Sequence, residues 1–211
     1  MQQKHIFRTA SLAVIAVTGW AALLLQYRSL LEHRSTTAFE ATVRYFGYFT
    51  ILSNLLVTVC CSVLWLYRKS RLGQFFAKPA TLTAITIYIL VVGGIYNLVL
   101  RKNGLPQDVG GEVANELLHC VVPLLFLLFW IKFVPSFKMR IGLIILWLLY
   151  PLAYLFYTLI HGAVSGFYPY PFVNVDKLGY GKALLNCLGV TVFFVVLSLL
   201  LGWIKHDGNK D

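Results

Sequence analysis

The residues able to do chemistry in this chain lie inside its most apolar stretches. The segment "YFGYFTILSNLLVTVCC", Tyr45 to Cys61, carries Thr50, Ser53 and Asn54 among hydrophobic neighbours. On a helix, Thr50 and Asn54 stand one turn apart with Ser53 beside them. Other apolar runs are interrupted by Tyr96 and Asn97, by Asn115, Glu116 and His119, by His161, and by Asn186. Hydroxyls, carboxamides, a carboxylate and imidazoles are the groups of nucleophilic and acid–base catalysis. They are equally the groups that hydrogen-bond helices to one another in lipid, worth about 0.6 kcal/mol each on average.

The elements that must position them follow from composition. The chain is 59% hydrophobic and 12% charged, with a mean hydropathy of +0.75. Soluble domains carry about 25% charged residues, so this surface asks for lipid as its solvent. A membrane-crossing helix needs roughly 20 mainly apolar residues. Six such stretches occur, at about 6–27, 44–67, 80–100, 114–133, 140–163 and 183–204. They predict an all-α, polytopic membrane protein, with six helices in one bundle and residues 1–211 as one domain. The first stretch starts with Lys4 and Arg8, like a signal peptide. Its apolar core exceeds the roughly 7–15 residues of a signal peptide, and no small-residue cleavage site closes it. It is read as a retained helix.

The net charge of +10 reads as topology once the charges are placed. Six spans put both termini and the second and fourth connections on one side, with eleven of the 18 Lys and Arg. The other side carries seven, and most of the acids. The positive-inside rule then puts both termini in the cytoplasm. The basic excess suits anionic lipid rather than nucleic acid.

On that topology the polar residues fall at one depth. Thr50, Ser53 and Asn54 occupy the outer half of the second span, and Tyr96 and Asn97 the outer end of the third. Asn115, Glu116 and His119 start the fourth, His161 lies near the outer end of the fifth, and Asn186 near the outer start of the sixth. Interhelical glue has no reason to gather at one level, whereas a cavity opening outward does. Along the fifth span, Tyr150, Tyr154, Tyr157 and His161 form a stripe on one face. It reads either as packing with an interfacial anchor or as the wall of a lipid-chain pocket, with a kink at Pro151. The following loop, "GFYPYPF", holds Tyr168 and Tyr170 in extended, proline-restricted backbone. It is an anchor at the interface or a lid over the cavity. The loop from Asn103 to Glu116 contains Gly110-Gly111 and can bend close to the bundle; it is no phosphate loop, lacking the Lys-Ser/Thr that should follow. Cys60, Cys61, Cys120 and Cys187 all fall within spans, without a C-x-x-C pair, and read as packing residues. G-x-S-x-G, H-E-x-x-H, P-loop and dinucleotide motifs are absent.

The stretches "YFTILSNLL", "LLHCVVPLL" and "YPLAYLFYTLIHGAVSGFYPYPF" resemble the bacterial Pr-six-Pr membrane proteins, over roughly residues 5 to 205. More distantly they resemble the androgen-induced and androgen-dependent TFPI-regulating proteins of animals. That second likeness rests on an aromatic-x-Thr, a His shortly before a Pro, and the Tyr-Pro region. It implies an intramembrane hydrolase of fatty-acid esters of hydroxy fatty acids, with its threonine nucleophile at Thr50 and its histidine at His119. The bacterial likeness implies a multi-pass plasma-membrane protein.

The residue types permit that chemistry. A threonine hydroxyl needs a base within hydrogen-bond reach, and an imidazole suits the task. Glu116, three residues before His119 on the same face, either orients the ring, as in a triad, or is simply wet. His161 is the reserve base. Helix backbone N–H groups are consumed by their own ladder. An oxyanion donor is therefore expected from Ser53, Asn54, Asn97, Asn115, a tyrosine or a helix N-terminus. No metal or cofactor is required. The partners are membrane lipid and a lipid-ester substrate, and no feature sets an oligomeric state. Two other classes stand beside the hydrolase. One is a membrane transport, signalling or scaffold protein, in which Ser53 and Asn54 pin helices together. The other is a haem protein ligated by His119 and His161.

Overall fold

A computed structural model describes residues 2–101 and 109–206. Among them the regular structure is helical, with one isolated bridge between Phe137 and His206 and no strand. The elements are α1 (Gln2–Glu32), α2 (Ala38–Phe46), α3 (Phe49–Leu66), α4 (Arg71–Phe76), α5 (Pro79–Ile95), α6 (Val109–Glu116), α7 (Val122–Phe133), α8 (Ile141–Ser165) and α9 (Val175–Ile204). A π turn, Tyr96–Leu100, prolongs α5, and a second, Leu117–Val121, joins α6 to α7. A 3₁₀ turn, Pro171–Val173, lies before α9. Six helical segments are long and apolar enough to cross a membrane: Gln2–Glu32, Phe49–Leu66, Pro79–Leu100, Gly110–Phe133, Ile141–Ser165 and Val175–Ile204.

Local chemistry sets the ends. Pro79 opens α5, where a missing N–H costs nothing. The Thr37 side chain caps α2 by accepting from the Glu40 N–H. Gly166, at φ 69°, ends α8 in the left-handed conformation that glycine tolerates. Asn174 Oδ1 accepts from the Lys177 N–H at 3.0 Å and starts α9.

Burial is unequal. The most apolar windows of α3 and α5 are each 56% buried within the protein, whereas those of α8 and α9 are 11% and 22%. So α3 and α5 form the centre, and α8 and α9 turn leucine, isoleucine and phenylalanine outward. The centre is tight because small residues admit close approach. A Cβ at Gly19 of α1 would lie 2.1 Å from Thr58 Oγ1 of α3. Nearby, Trp20 Nε1 donates to Ser62 Oγ at 3.2 Å.

Two stretches depart from the single helices expected at 44–67 and 114–133. The first breaks at Gly47 and Tyr48 into α2 and α3. The Gly47 N–H closes α2 on the Val43 and Arg44 carbonyls. Its own carbonyl, left without a helical donor, accepts from Tyr154 OH at 2.8 Å. The second stretch contains the π turn Leu117–Val121. Val122 N–H donates five residues back to Leu117, and Pro123 has no N–H to offer Leu118 or His119. Of the loop from Asn103 to Glu116, residues 103–108 lie outside the described residues, and the remainder forms α6.

Candidate active site

The break at Gly47 and Tyr48 changes what Thr50 is. In a continuous helix its amide would be bonded four residues back. Here Tyr48 is the N-cap and Thr50 the second helical residue, so its N–H is one of the free donors of a first turn. That N–H donates to Tyr170 OH at 3.1 Å. Thr50 Oγ1 is also 3.1 Å from Tyr170 OH and 3.3 Å from His119 Nε2.

The proton positions follow from the partners. His119 Nδ1 lies 2.9 Å from the Asn115 carbonyl oxygen, which can only accept. Nδ1 therefore carries the proton, and Nε2 presents a lone pair to Thr50. Thr50 Oγ1–H donates to Nε2, and Tyr170 O–H donates in turn to Oγ1. Each hydroxyl and amide in this chain of four groups has one consistent role. The ring of His119 stacks on Tyr96, with centroids 4.1 Å apart and planes 25° apart. Asn115 Nδ2 in turn donates to Tyr96 OH. Tyr170 comes from the loop before α9, and burial pushes its hydroxyl pKa up to about 12, so it stays a protonated donor at neutral pH.

Asn54 explains why His119 stands opposite Thr50. Its Nδ2 donates to the Thr50 carbonyl at 2.9 Å and to the Leu118 carbonyl at 3.1 Å. The Leu118 carbonyl is one that Pro123 leaves without a backbone donor, and Asn54 supplies it from α3. The carboxamide thus ties α3 to the π turn carrying His119. The freed His119 carbonyl faces α5 at Gly93, where a Cβ would lie 2.9 Å away. Asn54 is fully buried and its Oδ1 has no partner among the described residues. The amide is spent on backbone carbonyls, so the expected substrate-polarising role has no free donor behind it.

The other expected site residues divide by place. Ser53 Oγ is buried with no hydrogen-bond partner among the described residues, near Tyr150 OH but outside hydrogen-bond geometry. Glu116 does not orient His119: it pairs with Arg101, which also donates to Asn97 Oδ1 at 3.0 Å. Asn97 is exposed, its Nδ2 held by the Gly93 carbonyl at 2.8 Å. Asn186 Nδ2 donates to the Phe172 carbonyl at 2.9 Å and fastens the loop. His161 stacks on Tyr157 with centroids 5.6 Å apart, joining neither Thr50 nor His119.

Thr50 stands on the wall of a partly open apolar cleft, about 770 Å³ with the solvent at its mouth included. Thr50, His119, Tyr154 and Tyr170 stand among its lining, with side chains such as Ile95, Leu152, Val190 and Phe194 along the walls. Of the five tyrosines expected as wall or lid, Tyr154 and Tyr170 line it. Tyr150 packs on Phe49 and Tyr88 instead, and Tyr168 fills the space over Gly162. Tyr157 lies one turn beyond the cleft on α8 and is exposed. Sequence reasoning missed Gly47 and Gly93 and took Pro123 only as part of the His-before-Pro motif; all three act through the backbone. A glycine inside an apolar run and a proline four residues after a histidine were their signals. Among the described residues, no three His, Cys, Asp or Glu side chains converge as a metal site would require.

Comparison of the chain with known protein families, with curated protein sequences and with solved structures found no match.

Proposed function

We propose that the protein is a multi-pass integral membrane protein that hydrolyses lipid esters, with Thr50 as nucleophile and His119 as its base. The observation that carries this reading is the oriented pair itself. A threonine hydroxyl at a helix start faces the unprotonated nitrogen of a histidine whose other nitrogen is held by a carbonyl. Interhelical glue needs neither the tautomer nor the cleft beside it. The membrane setting is supported by the six apolar segments and by the basic excess on the side of the termini. The likeness of the short motifs to the animal hydrolases points the same way.

The steps follow from the geometry. Thr50 Oγ1 attacks the ester carbonyl carbon while its proton passes to His119 Nε2. The Thr50 N–H, at the positive end of an 18-residue helix, stabilises charge on the carbonyl oxygen. Collapse breaks the ester C–O bond, and the leaving alkoxide takes the proton from His119. Water, deprotonated by the same nitrogen, attacks the acyl-threonine, releases the fatty acid and restores the hydroxyl. The 3.3 Å contact is at the loose end of hydrogen-bond distance and would tighten as charge develops. The acyl chain lies along the apolar cleft, against side chains such as Ile95, Leu152, Val190 and Phe194. His119 is engaged at both ring nitrogens, which weighs against a haem ligand.

A series of p-nitrophenyl esters with lengthening acyl chains, offered to the purified protein in detergent, tests the reading. Each methylene buried in the cleft should raise kcat/KM about fourfold, from about 0.8 kcal/mol of transfer free energy, until the cleft is filled. Turnover no faster than in protein-free detergent, at every length, would leave the hydrolase reading without support.

A further inference from the structure

We propose that Tyr170 is a third catalytic residue, supplying the side-chain hydrogen bond to the oxyanion that forms when Thr50 attacks. The inference rests on the hydrolase reading above and adds a group to it. Charge on the carbonyl oxygen needs preorganised donors at about 2.7–3.1 Å. Within a helical bundle such donors are scarce, because backbone N–H groups are already paired. The break before α3 frees one, the N–H of Thr50. A lone donor is a weak hole, and the carboxamide of Asn54 is committed to the Thr50 and Leu118 carbonyls.

Tyr170 fills the gap in position and in chemistry. Its hydroxyl is 3.1 Å from Thr50 N and 3.1 Å from Thr50 Oγ1. Once Oγ1 has bonded to the carbonyl carbon, the oxyanion lies beside Oγ1 and within reach of both N–H and O–H. The tyrosine hydroxyl, which donated to Oγ1 at rest, then turns to the oxyanion. No bond to Tyr170 forms or breaks.

The loop holds this donor still. Tyr170 stands between Pro169 and Pro171, with φ −128° and ψ 140°, the extended backbone that a following proline favours. Its ring stacks on Phe172 at 5.3 Å and meets Tyr48 edge-on at 5.7 Å. Phe172 is fastened to α9 through Asn186. The aromatic and proline alternation of the loop is thus the means of presenting one hydroxyl to Thr50. Surface anchoring alone would not point that ring inward.

The experiment measures kcat and KM for ester hydrolysis by wild type, Tyr170→Phe and Thr50→Ala, with thermal melting in detergent as the check on folding. Tyr170→Phe is expected to lower kcat about 10²–10³-fold, with KM and melting little changed. An active wild type, an inactive Thr50→Ala and a Tyr170→Phe at wild-type kcat would overturn the inference alone and leave the hydrolase reading standing. A faster Tyr170→Phe would also overturn it, marking the hydroxyl as a plug over Thr50. A wild type that hydrolyses no ester overturns the hydrolase reading and this inference together. Should Tyr170→Phe unfold, difluorotyrosine at position 170 keeps the ring and makes the hydroxyl more acidic. Activity should then fall as pH rises through the lowered pKa of that ring, beside Tyr48, Tyr154, Thr50 and His119, and wild type should show no such fall. An unchanged pH profile would count against the donor role.

Discussion

Thr50→Ala is expected to lower ester hydrolysis by on the order of 10⁴–10⁶-fold, the range seen when a hydrolase loses its nucleophile. The substitution removes Oγ1 and with it the contacts to His119 and Tyr170. It leaves the Thr50 N–H, the break at Gly47 and the Asn54 bridge, none of which uses the hydroxyl. Alanine suits a helix, so α3 should persist and the cleft should still accept the acyl chain. The loss should therefore appear in kcat, with KM little changed. Thr50→Ser keeps the hydroxyl at the same helix start and should retain much of the rate. Kinetics of these two variants against wild type check the expectation. A Thr50→Ala protein with a tenth or more of wild-type kcat would place the nucleophile elsewhere.

His119→Ala should lower kcat about 10²–10⁴-fold, the contribution of a positioned base. Thr50 keeps its hydroxyl in this variant, but the proton has no acceptor in contact with it: Tyr170 OH is committed as a donor to the same oxygen. The double variant Thr50→Ala with His119→Ala is the sharper measurement. Two residues acting in one step are strongly non-additive, so it should be no slower than Thr50→Ala alone. Losses that multiplied would show that the two act independently, and their contact would then be packing. His119→Ala also removes the stack on Tyr96, so melting in detergent should accompany the kinetics.

Much of this was legible in the sequence, and the boundary has a physical cause. Hydropathy runs mark α5 and α8 well because twenty apolar residues in series mean the same thing wherever they pack. Polar side chains of the second and fourth spans do meet, at Thr50 and His119, in keeping with the cost of burying each of them in apolar surroundings. Other pairings were not legible. Glu116 reads as a neighbour of His119 by spacing, yet Arg101 from the end of α5 claims it. Asn54 looks like a donor to substrate until Pro123, on another helix, is seen to leave the Leu118 carbonyl unpaired. Tyr157 shares the stripe of Tyr154, but the cleft ends one turn earlier. Each of these outcomes depends on a residue distant in sequence. The break before α3 is the most consequential case. Gly47 is a weak local signal in an apolar run, and it converts Thr50 from a mid-helix residue whose amide serves the helix ladder into one whose N–H is released to Tyr170 OH.

The most direct test of Thr50 as nucleophile is covalent. Purified wild-type protein is incubated with a fluorophosphonate, digested, and the modified peptide located by mass spectrometry, with Thr50→Ala and His119→Ala proteins in parallel. The adduct should sit on Thr50 in wild type, be absent from Thr50→Ala, and form far more slowly in His119→Ala. An adduct on any other residue, or equal labelling of a folded Thr50→Ala protein, would contradict the assignment of Thr50 as the attacking group.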